Sequence, residues 1–124
     1  MSDPVTLHDI YLARSRIAGQ AARTPLILSQ SLSARFDTEV YLKLETLQPS
    51  GAFKLRGALN KIASLSPEQL ERGVTTASTG NHGRAVAWAA KRLGARAIIC
   101  VSELVPANKV AAIEALGAEA RVIG

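Results

Sequence analysis

Two short segments of this sequence carry residues that could do chemistry. The first is residues 48–58, QPSGAFKLRGA, in which Lys54 follows a turn broken by proline and glycine. A bulky apolar neighbour such as Phe53 can shield a lysine from water, which favours the neutral amine that attacks aldehydes. The same residues also suit an ordinary lysine at the start of a helix on a solvated face. We therefore treat Lys54 as a candidate nucleophile.

The second segment is residues 78–83, STGNHG, which lies between an apolar run and an alanine-rich run. A loop between a strand and a helix presents backbone N–H groups and a helix N-terminus, which bind carboxylates and phosphates. Its two glycines permit a close backbone approach, and Asn81 adds an amide donor. A plain helix cap followed by turning glycines would look similar. Together the two segments offer an amine for an aldehyde and donors for an anion.

Other kinds of site are not expected. The sequence has two histidines, His8 and His82, and no cluster with the spacing of metal ligands, so no metal site is predicted. It also lacks the Gly-x-Gly-x-x-Gly and P-loop patterns of nucleotide-binding domains. Cys100, the only cysteine, stands in the apolar run 97–101, where it should be a small buried hydrophobe.

The composition sets the broad class of protein. The 124 residues are 48% hydrophobic and carry a net charge of +5 that is spread along the chain. Dispersed basic residues indicate a solvated surface, so nucleic acid is not an expected partner. There is no secretory leader pattern and no stretch of about 18 apolar residues. We expect a soluble cytoplasmic protein that does not contact a membrane.

The periodicity of apolar residues predicts an α/β fold. Spacings of three and four residues predict an amphipathic helix over 6–22, and alternation predicts a half-buried strand over 40–45. A strand at 26–28, a helix at 29–35, a helix at 53–64 and a capped short helix from residue 66 complete the first part. Strands at 74–77, 97–101 and 119–123 then alternate with helices at 83–93 and 108–116, each ended by a glycine. This alternation predicts βαβ units in a parallel sheet.

The sequence stops at Gly124, just after the last predicted strand. A parallel sheet is normally covered on both faces, and no helix follows to cover one of them. We therefore expect the chain to be the front part of a larger protein.

The two candidate segments, with TPL at 24–26 and VYLKLE at 40–45, resemble the N-terminal part of the fold type II pyridoxal-phosphate enzymes. The resemblance is greatest to the threonine/serine dehydratase (ammonia-lyase) group, which includes serine racemase. It implies a three-layer α/β fold with a parallel sheet, from a two-domain enzyme. Residues 1–50 would be an arm of the large domain, and residues 51–124 an incomplete small domain.

The resemblance also implies roles for individual residues, with pyridoxal 5'-phosphate as the cofactor. Lys54 matches the lysine that carries the cofactor and moves the α-proton, and Phe53 matches the residue beside the cofactor ring. Asn81 matches the residue that bonds the 3-oxygen of the pyridine. The substrate carboxylate would bind Ser78, Thr79, Gly80, Asn81 and His82. Thr79 is also a catalytic candidate, because racemases have a serine there, on the face opposite the lysine. The loop for the cofactor phosphate lies outside this chain.

The activity that the resemblance implies is β-elimination of water from L-threonine or L-serine, which gives a 2-oxo acid and ammonia. The complete enzyme would be a homo-oligomer acting on a small amino acid, and this stretch alone would be inactive. Serine racemase and hydroxyectoine-utilization dehydratase remain alternatives; Arg84, where many relatives have glutamine, would suit an extra anionic group on the substrate. A non-catalytic α/β module is a further alternative.

Overall fold

The computed structural model describes residues 4–78 and 80–123. The N-terminal part of this range contains two helices and two short strands. The strands pair antiparallel, with Ile27 opposite Leu42. A 3₁₀ turn at Glu45–Leu47 follows. The other elements are α1 Leu7–Ile17, β1 Leu26–Leu28, α2 Gln30–Phe36 and β2 Tyr41–Lys43.

Two predictions for this part are wrong in their bounds. Helix α1 ends at Ile17 rather than near residue 22, because Ala18 leaves the helical region and Gly19 adopts a φ of +73°. The predicted strand over 40–45 is shortened to β2, whose three residues are all exposed rather than half-buried. Glu45 has left the strand and begins the 3₁₀ turn.

The remainder of the chain alternates helices and strands as predicted. Helix α4 begins with a capping box in which Ser66 and Gln69 satisfy each other's backbone N–H groups, with Pro67 at the first helical position. Gly94 and Gly117 end the two later helices with φ values of +73° and +86°, which glycine adopts without strain. The elements are α3 Lys54–Ile62, α4 Pro67–Arg72, β3 Val74–Ala77, α5 Asn81–Arg92, β4 Ala97–Val101, α6 Ala107–Glu114 and β5 Glu119–Val122.

Strands β3, β4 and β5 form a parallel sheet in that order. One face of the sheet, which includes Ile99, packs with buried residues of α3, α5 and α6 to form an aliphatic core. The alternate residues of the sheet lie on its other face, where Thr75 and Ala77 are exposed and Ile98 is half-buried. Cys100 is a free thiol on that face and is half-buried, not fully buried as predicted. The prediction of a mixed α/β fold with a parallel sheet is confirmed.

The N-terminal part attaches to this core through α3. Helix α1 packs against α3, although none of its own residues is buried, and Arg16 donates a hydrogen bond to Asn60 at 3.3 Å. Helix α3 packs in turn against α5. The division of the chain into two domain parts at residue 50 stays a prediction.

Candidate active site

Lys54 is the first residue of α3, directly after a tight turn. The turn is closed by a hydrogen bond of 2.7 Å from the Gly51 N–H to the Gln48 carbonyl, and Gly51 has a φ of +78°. Phe53 caps the helix in a helical conformation, with no side chain to accept a bond from the first-turn N–H groups. The predicted junction between a loop and a helix at Lys54 is therefore present.

The surroundings of Lys54 differ from the prediction of a shielded amine. Phe53 is 60% exposed and Lys54 is exposed as well. The ammonium of Lys54 lies 5.3 Å from the centre of the Phe53 ring, a cation–π distance, so the ring touches the amine on one side only. Within the described residues, Phe53 does not exclude water from Lys54.

Arg56, in the first turn of α3, forms a two-pronged ion pair with Glu45. Its Nε lies 2.9 Å from Glu45 Oε2 and its Nη2 lies 2.7 Å from Oε1, with the two side chains 34% and 18% exposed. The hydrogen bonds from Arg56, helped by those from Thr24 and Gln48, lower the pKa of Glu45 from 4.5 to about 2. Glu45 is therefore ionised at neutral pH, and both of its oxygens accept bonds.

Two buried polar side chains join the same ion pair to the chain around residue 22. Gln48, only 3% exposed, pairs its amide with both the N–H and the carbonyl of Ala22, each at 2.9 Å. Thr24, 4% exposed, donates to Glu45 Oε1 at 2.6 Å, and Lys43 donates to the Thr24 carbonyl. We refer to Thr24, Glu45, Gln48 and Arg56 as the buried polar cluster.

The sequence alone does not predict the buried polar cluster. Its members stood in the segments that carry the family resemblance, but no periodic pattern marks partners 11 or more residues apart. The only local signal is a glutamate and an arginine on either side of the turn at 48–51. Because charged side chains are seldom buried unless paired, that signal would at most have indicated a pair.

The second candidate segment lies where strand β3 ends. The Ser78 N–H donates to the Cys100 carbonyl at 3.1 Å, which extends the pairing of β3 with β4 by one residue. The Gly80 N–H lies 3.4 Å from the Ser78 hydroxyl. Thr79 lies outside the described residues. In open α/β sheets ligands bind at the carboxyl ends of the strands, and this segment occupies that position.

Helix α5 begins at Asn81, two residues before the predicted start at Gly83. Asn81 and His82 are therefore exposed residues of its first turn rather than loop residues. Gly80 is the cap, and among the described residues no side chain bonds the first-turn N–H groups. The predicted helix N-terminus is present, but it begins two residues earlier, so that Asn81 and His82 belong to it.

Two glycines give this turn its shape. A Cβ on Gly83 would lie 2.8 Å from the Ser78 carbonyl oxygen and 3.0 Å from Ile99 Cγ2, so only glycine lets α5 approach the end of β3. A Cβ on Gly80 would meet nothing within 4 Å. Close packing at Gly83 therefore holds the start of α5 against the end of β3, whereas open space remains beside Gly80.

Helices α3 and α5 place the two segments on neighbouring elements. His82 lines a cavity of about 440 Å³ together with Gly57, which is one helical turn after Lys54. Val86 and further residues of α3, α4 and β3 line the rest of it, with Leu65 and Gly73. The structure therefore brings the start of α5 to the helix that carries Lys54.

No group of three histidine, cysteine, aspartate or glutamate side chains is close enough to hold a metal ion in the described residues. Over the same range, no helix has the length and apolar character needed to cross a membrane.

A family model described as pyridoxal-phosphate dependent enzyme matches residues 17–124. A candidate threonine dehydratase of Sinorhizobium fredii is 54% identical over 120 residues, which are 97% of this chain and 36% of that protein. The L-threonine ammonia-lyase of Thermotoga maritima is 44% identical over 115 residues, 93% of this chain and 29% of that protein.

Relatives with other names are also similar. The L-threo-3-hydroxyaspartate ammonia-lyase of Saccharomyces cerevisiae is 42% identical over 113 residues, 91% of this chain and 35% of that protein. The crystal structure of serine racemase from Dictyostelium discoideum has a TM-score of 0.91 at 40% identity, over 95% of this chain and 38% of that one. The chain thus spans about a third of the length of the relatives it matches.

The described residues fit the cofactor that the family model names. Lys54 offers an exposed primary amine for an aldehyde, and its side chain forms no hydrogen bond with the part of the chain that the structure describes. The turn at 78–83 offers exposed donors, with open space beside Gly80.

Proposed function

Because the chain belongs to the pyridoxal-phosphate dependent enzymes, we propose that the complete protein is an ammonia-lyase that eliminates water from L-threonine or L-serine. The products are a 2-oxo acid and ammonia. The observation that carries this proposal is the exposed Lys54 amine at the start of α3, a helix that packs against α5, whose start offers backbone donors. The names of the 54% and 44% identical relatives support the choice of substrate.

Each candidate residue has a task in this proposal. Lys54 holds the cofactor and, when its amine is free, takes the proton from the substrate Cα through Nζ. Bound pyridoxal phosphate supplies an electron sink for the charge that develops at Cα. The donors of Ser78, Gly80, Asn81 and His82 bind the substrate carboxylate, and Thr79 joins them by its position in the sequence. Phe53 would lie beside the cofactor ring, and Asn81 would donate a hydrogen bond to its 3-oxygen.

A second candidate function is racemisation of serine. It is favoured by the likeness to the Dictyostelium discoideum serine racemase structure and by the hydroxyl of Thr79, which a racemase would use to return a proton on the face opposite Lys54. The β-branch of threonine restricts χ1, so we propose that elimination dominates and that racemisation is a side reaction.

A third candidate substrate is a hydroxy amino acid with a second carboxylate. Arg84 is an exposed cation in the first turn of α5, next to the proposed carboxylate site, and a 42% identical relative is a 3-hydroxyaspartate ammonia-lyase. A dehydratase of the hydroxyectoine-utilization branch would use Arg84 in the same way. A non-catalytic module would process none of these substrates.

Product analysis of the complete protein tests these candidates. We expect 2-oxobutanoate from L-threonine and pyruvate from L-serine, with ammonia in equal amount. Lys54→Ala should abolish both reactions, whereas Lys91→Ala, an exposed lysine in the last turn of α5, should leave them unchanged. If the protein turned over 3-hydroxyaspartate faster than threonine, 3-hydroxyaspartate would replace threonine as the proposed substrate. A protein that turns over none of them would be a non-catalytic module.

The role of Thr79 has its own test. Thr79→Ala should suppress formation of D-serine from L-serine far more than it suppresses formation of pyruvate. Equal losses of the two products would mean that Thr79 only helps to bind the carboxylate. We further propose that the complete protein acts in the cytoplasm as a homo-oligomer; a monomeric mass in solution would contradict the latter.

A further inference from the structure

The start of α3 has no side-chain cap, and its apolar anchor is Leu55, the residue after Lys54, which is fully buried in the core. The cap residue Phe53 provides no side-chain acceptor, and the first backbone bond of the turn, from the Leu55 N–H to the Ala52 carbonyl, is long at 3.3 Å. Capping side chains normally stabilise the first turn of a helix. The position of Lys54 therefore depends on what holds this turn from outside the helix.

Besides the packing of Leu55, this turn is held by the hydrogen bonds of the Arg56 guanidinium. It makes two bonds to Glu45 and a third, of 3.1 Å, from Nη2 to the Ala22 carbonyl. A planar guanidinium bound at two points fixes orientation as well as distance, which a single contact cannot do. The other two members of the buried polar cluster fix Glu45 itself, because Thr24 donates to its Oε1 and Gln48 donates to its Oε2.

Arg56 and Lys54 leave the helix in different directions. Residues two apart on a helix do not face each other, so the side that Arg56 anchors is not the side that presents Lys54. The network therefore has no need to contact the cofactor or the substrate. It can act only by setting where α3 begins and how the helix is rotated about its axis.

From this geometry we propose that Glu45 and Arg56 are positioning residues for Lys54. The ion pair holds the first turn of α3 in the orientation that presents the Lys54 amine to the site; the inference rests on the proposed role of Lys54. A charge-neutral replacement that keeps the shape of Glu45 should let this turn rotate or fray and slow the reactions of Lys54, while the protein stays folded.

The test uses the complete protein freed of cofactor. Pyridoxal phosphate and cyanoborohydride are added, and the initial rate of labelling is measured by peptide mass at Lys54 and at Lys61. Lys61 is exposed in the last turn of the same helix and corrects for general amine reactivity. We expect Glu45→Gln and Arg56→Lys each to lower the Lys54 to Lys61 ratio by about tenfold or more, since misplacement by about 1 Å is costly.

A matched control separates positioning from a general loss of charge pairs. Glu119→Gln removes a carboxylate that also binds arginines, Arg96 and Arg121, but on β5 far along the chain from α3. It should leave the labelling ratio unchanged. The double variant Glu45→Gln/Arg56→Lys should slow labelling no more than either single variant, because both changes release the same turn.

The outcomes distinguish the two proposals. Preferential labelling of Lys54 in the wild type, with the ratio unchanged in both single variants, would overturn the positioning role. No preference for Lys54 in the wild type would overturn the proposed function instead. Thermal unfolding is recorded for each variant; a lower melting temperature with an unaltered labelling ratio in the folded protein would leave the cluster a structural role only, against the inference.

Discussion

The beginnings of α3 and α5 carry the two halves of the candidate site and are held in place by different physical means. Neither helix has a side-chain cap. The start of α3 is held by charge, through Arg56 and Glu45, in a partly buried setting. The start of α5 is held by contact, because Gly83 packs against the Ser78 carbonyl and Ile99.

Because of this difference, we expect the starts of α3 and α5 to lose their positions under different conditions. A charged anchor weakens when a carboxylate is protonated, whereas a packed anchor is insensitive to pH and is upset by a single methyl group. The amine half of the site is thus predicted to be sensitive to acid, and the donor half to added volume.

The largest effect should come from Gly83→Ala. The new methyl group would lie 2.8 Å from the Ser78 carbonyl oxygen, a backbone atom that cannot easily move aside. We expect a loss of about 3 kcal/mol in the free energy of unfolding, at the upper end for overpacked sites. Urea unfolding of the complete protein measures it.

Gly57→Ala serves as the control for that substitution, since its Cβ would meet nothing within 4 Å. There alanine should stabilise α3 by about 0.5–1 kcal/mol through helix propensity. Equal effects of the two alanines would show that close packing does not hold the start of α5.

Arg56→Met should cost somewhat less. It keeps much of the aliphatic volume but leaves Glu45 with only the bonds from Thr24 and Gln48. Breaking a fully buried pair costs about 3–5 kcal/mol, and because Arg56 is 34% exposed we expect about 2 kcal/mol. Denaturant unfolding at neutral pH provides the measurement, and a loss below about 0.5 kcal/mol would class the pair with ordinary surface pairs.

A smaller effect should appear as a dependence on pH. The pKa of Glu45 is lowered from 4.5 to about 2 by its bonds from Arg56, so the folded state binds a proton less readily than the unfolded state. The stabilisation is therefore complete above about pH 4.5 and is lost as the pH falls towards 2. The advantage of the wild type over Glu45→Gln in unfolding free energy should shrink across that window; an advantage constant from pH 6 to pH 2.5 would disprove the assignment.

The smallest effect should come from Glu119→Gln. Its partners Arg96 and Arg121 are exposed, and exposed pairs are screened by water and salt. We expect no measurable change in melting temperature at physiological salt. A drop as large as that of Arg56→Met would mean that partial burial is not what distinguishes the buried polar cluster.

The sequence predicted the elements after residue 50 well because several signals agree there. Apolar periodicity, the capping box at Ser66 and glycines with positive φ at the helix ends all point to the same bounds. Prediction was poorer for α1 and β2. Their residues are not buried, so apolar spacing marked a longer helix and a half-buried strand that the described contacts do not support.

For the site, the sequence located Lys54 and the turn at 78–83, because glycines and a helix start leave local signals. It did not reveal that Asn81 and His82 lie within α5, since Gly80 rather than a side-chain cap begins that helix. The bonding of Arg56 to Glu45 and of Gln48 to Ala22 was also missed, because partners that meet only through the fold leave no periodic pattern in the chain.

The most direct test of the central claim is to find which side chain carries the cofactor. The complete protein is isolated with its cofactor, reduced with borohydride, digested and mapped by peptide mass. We predict a phosphopyridoxyl group on Lys54 and on no other lysine. Attachment to Lys43 or Lys61 instead, or no attachment at all, would contradict the account.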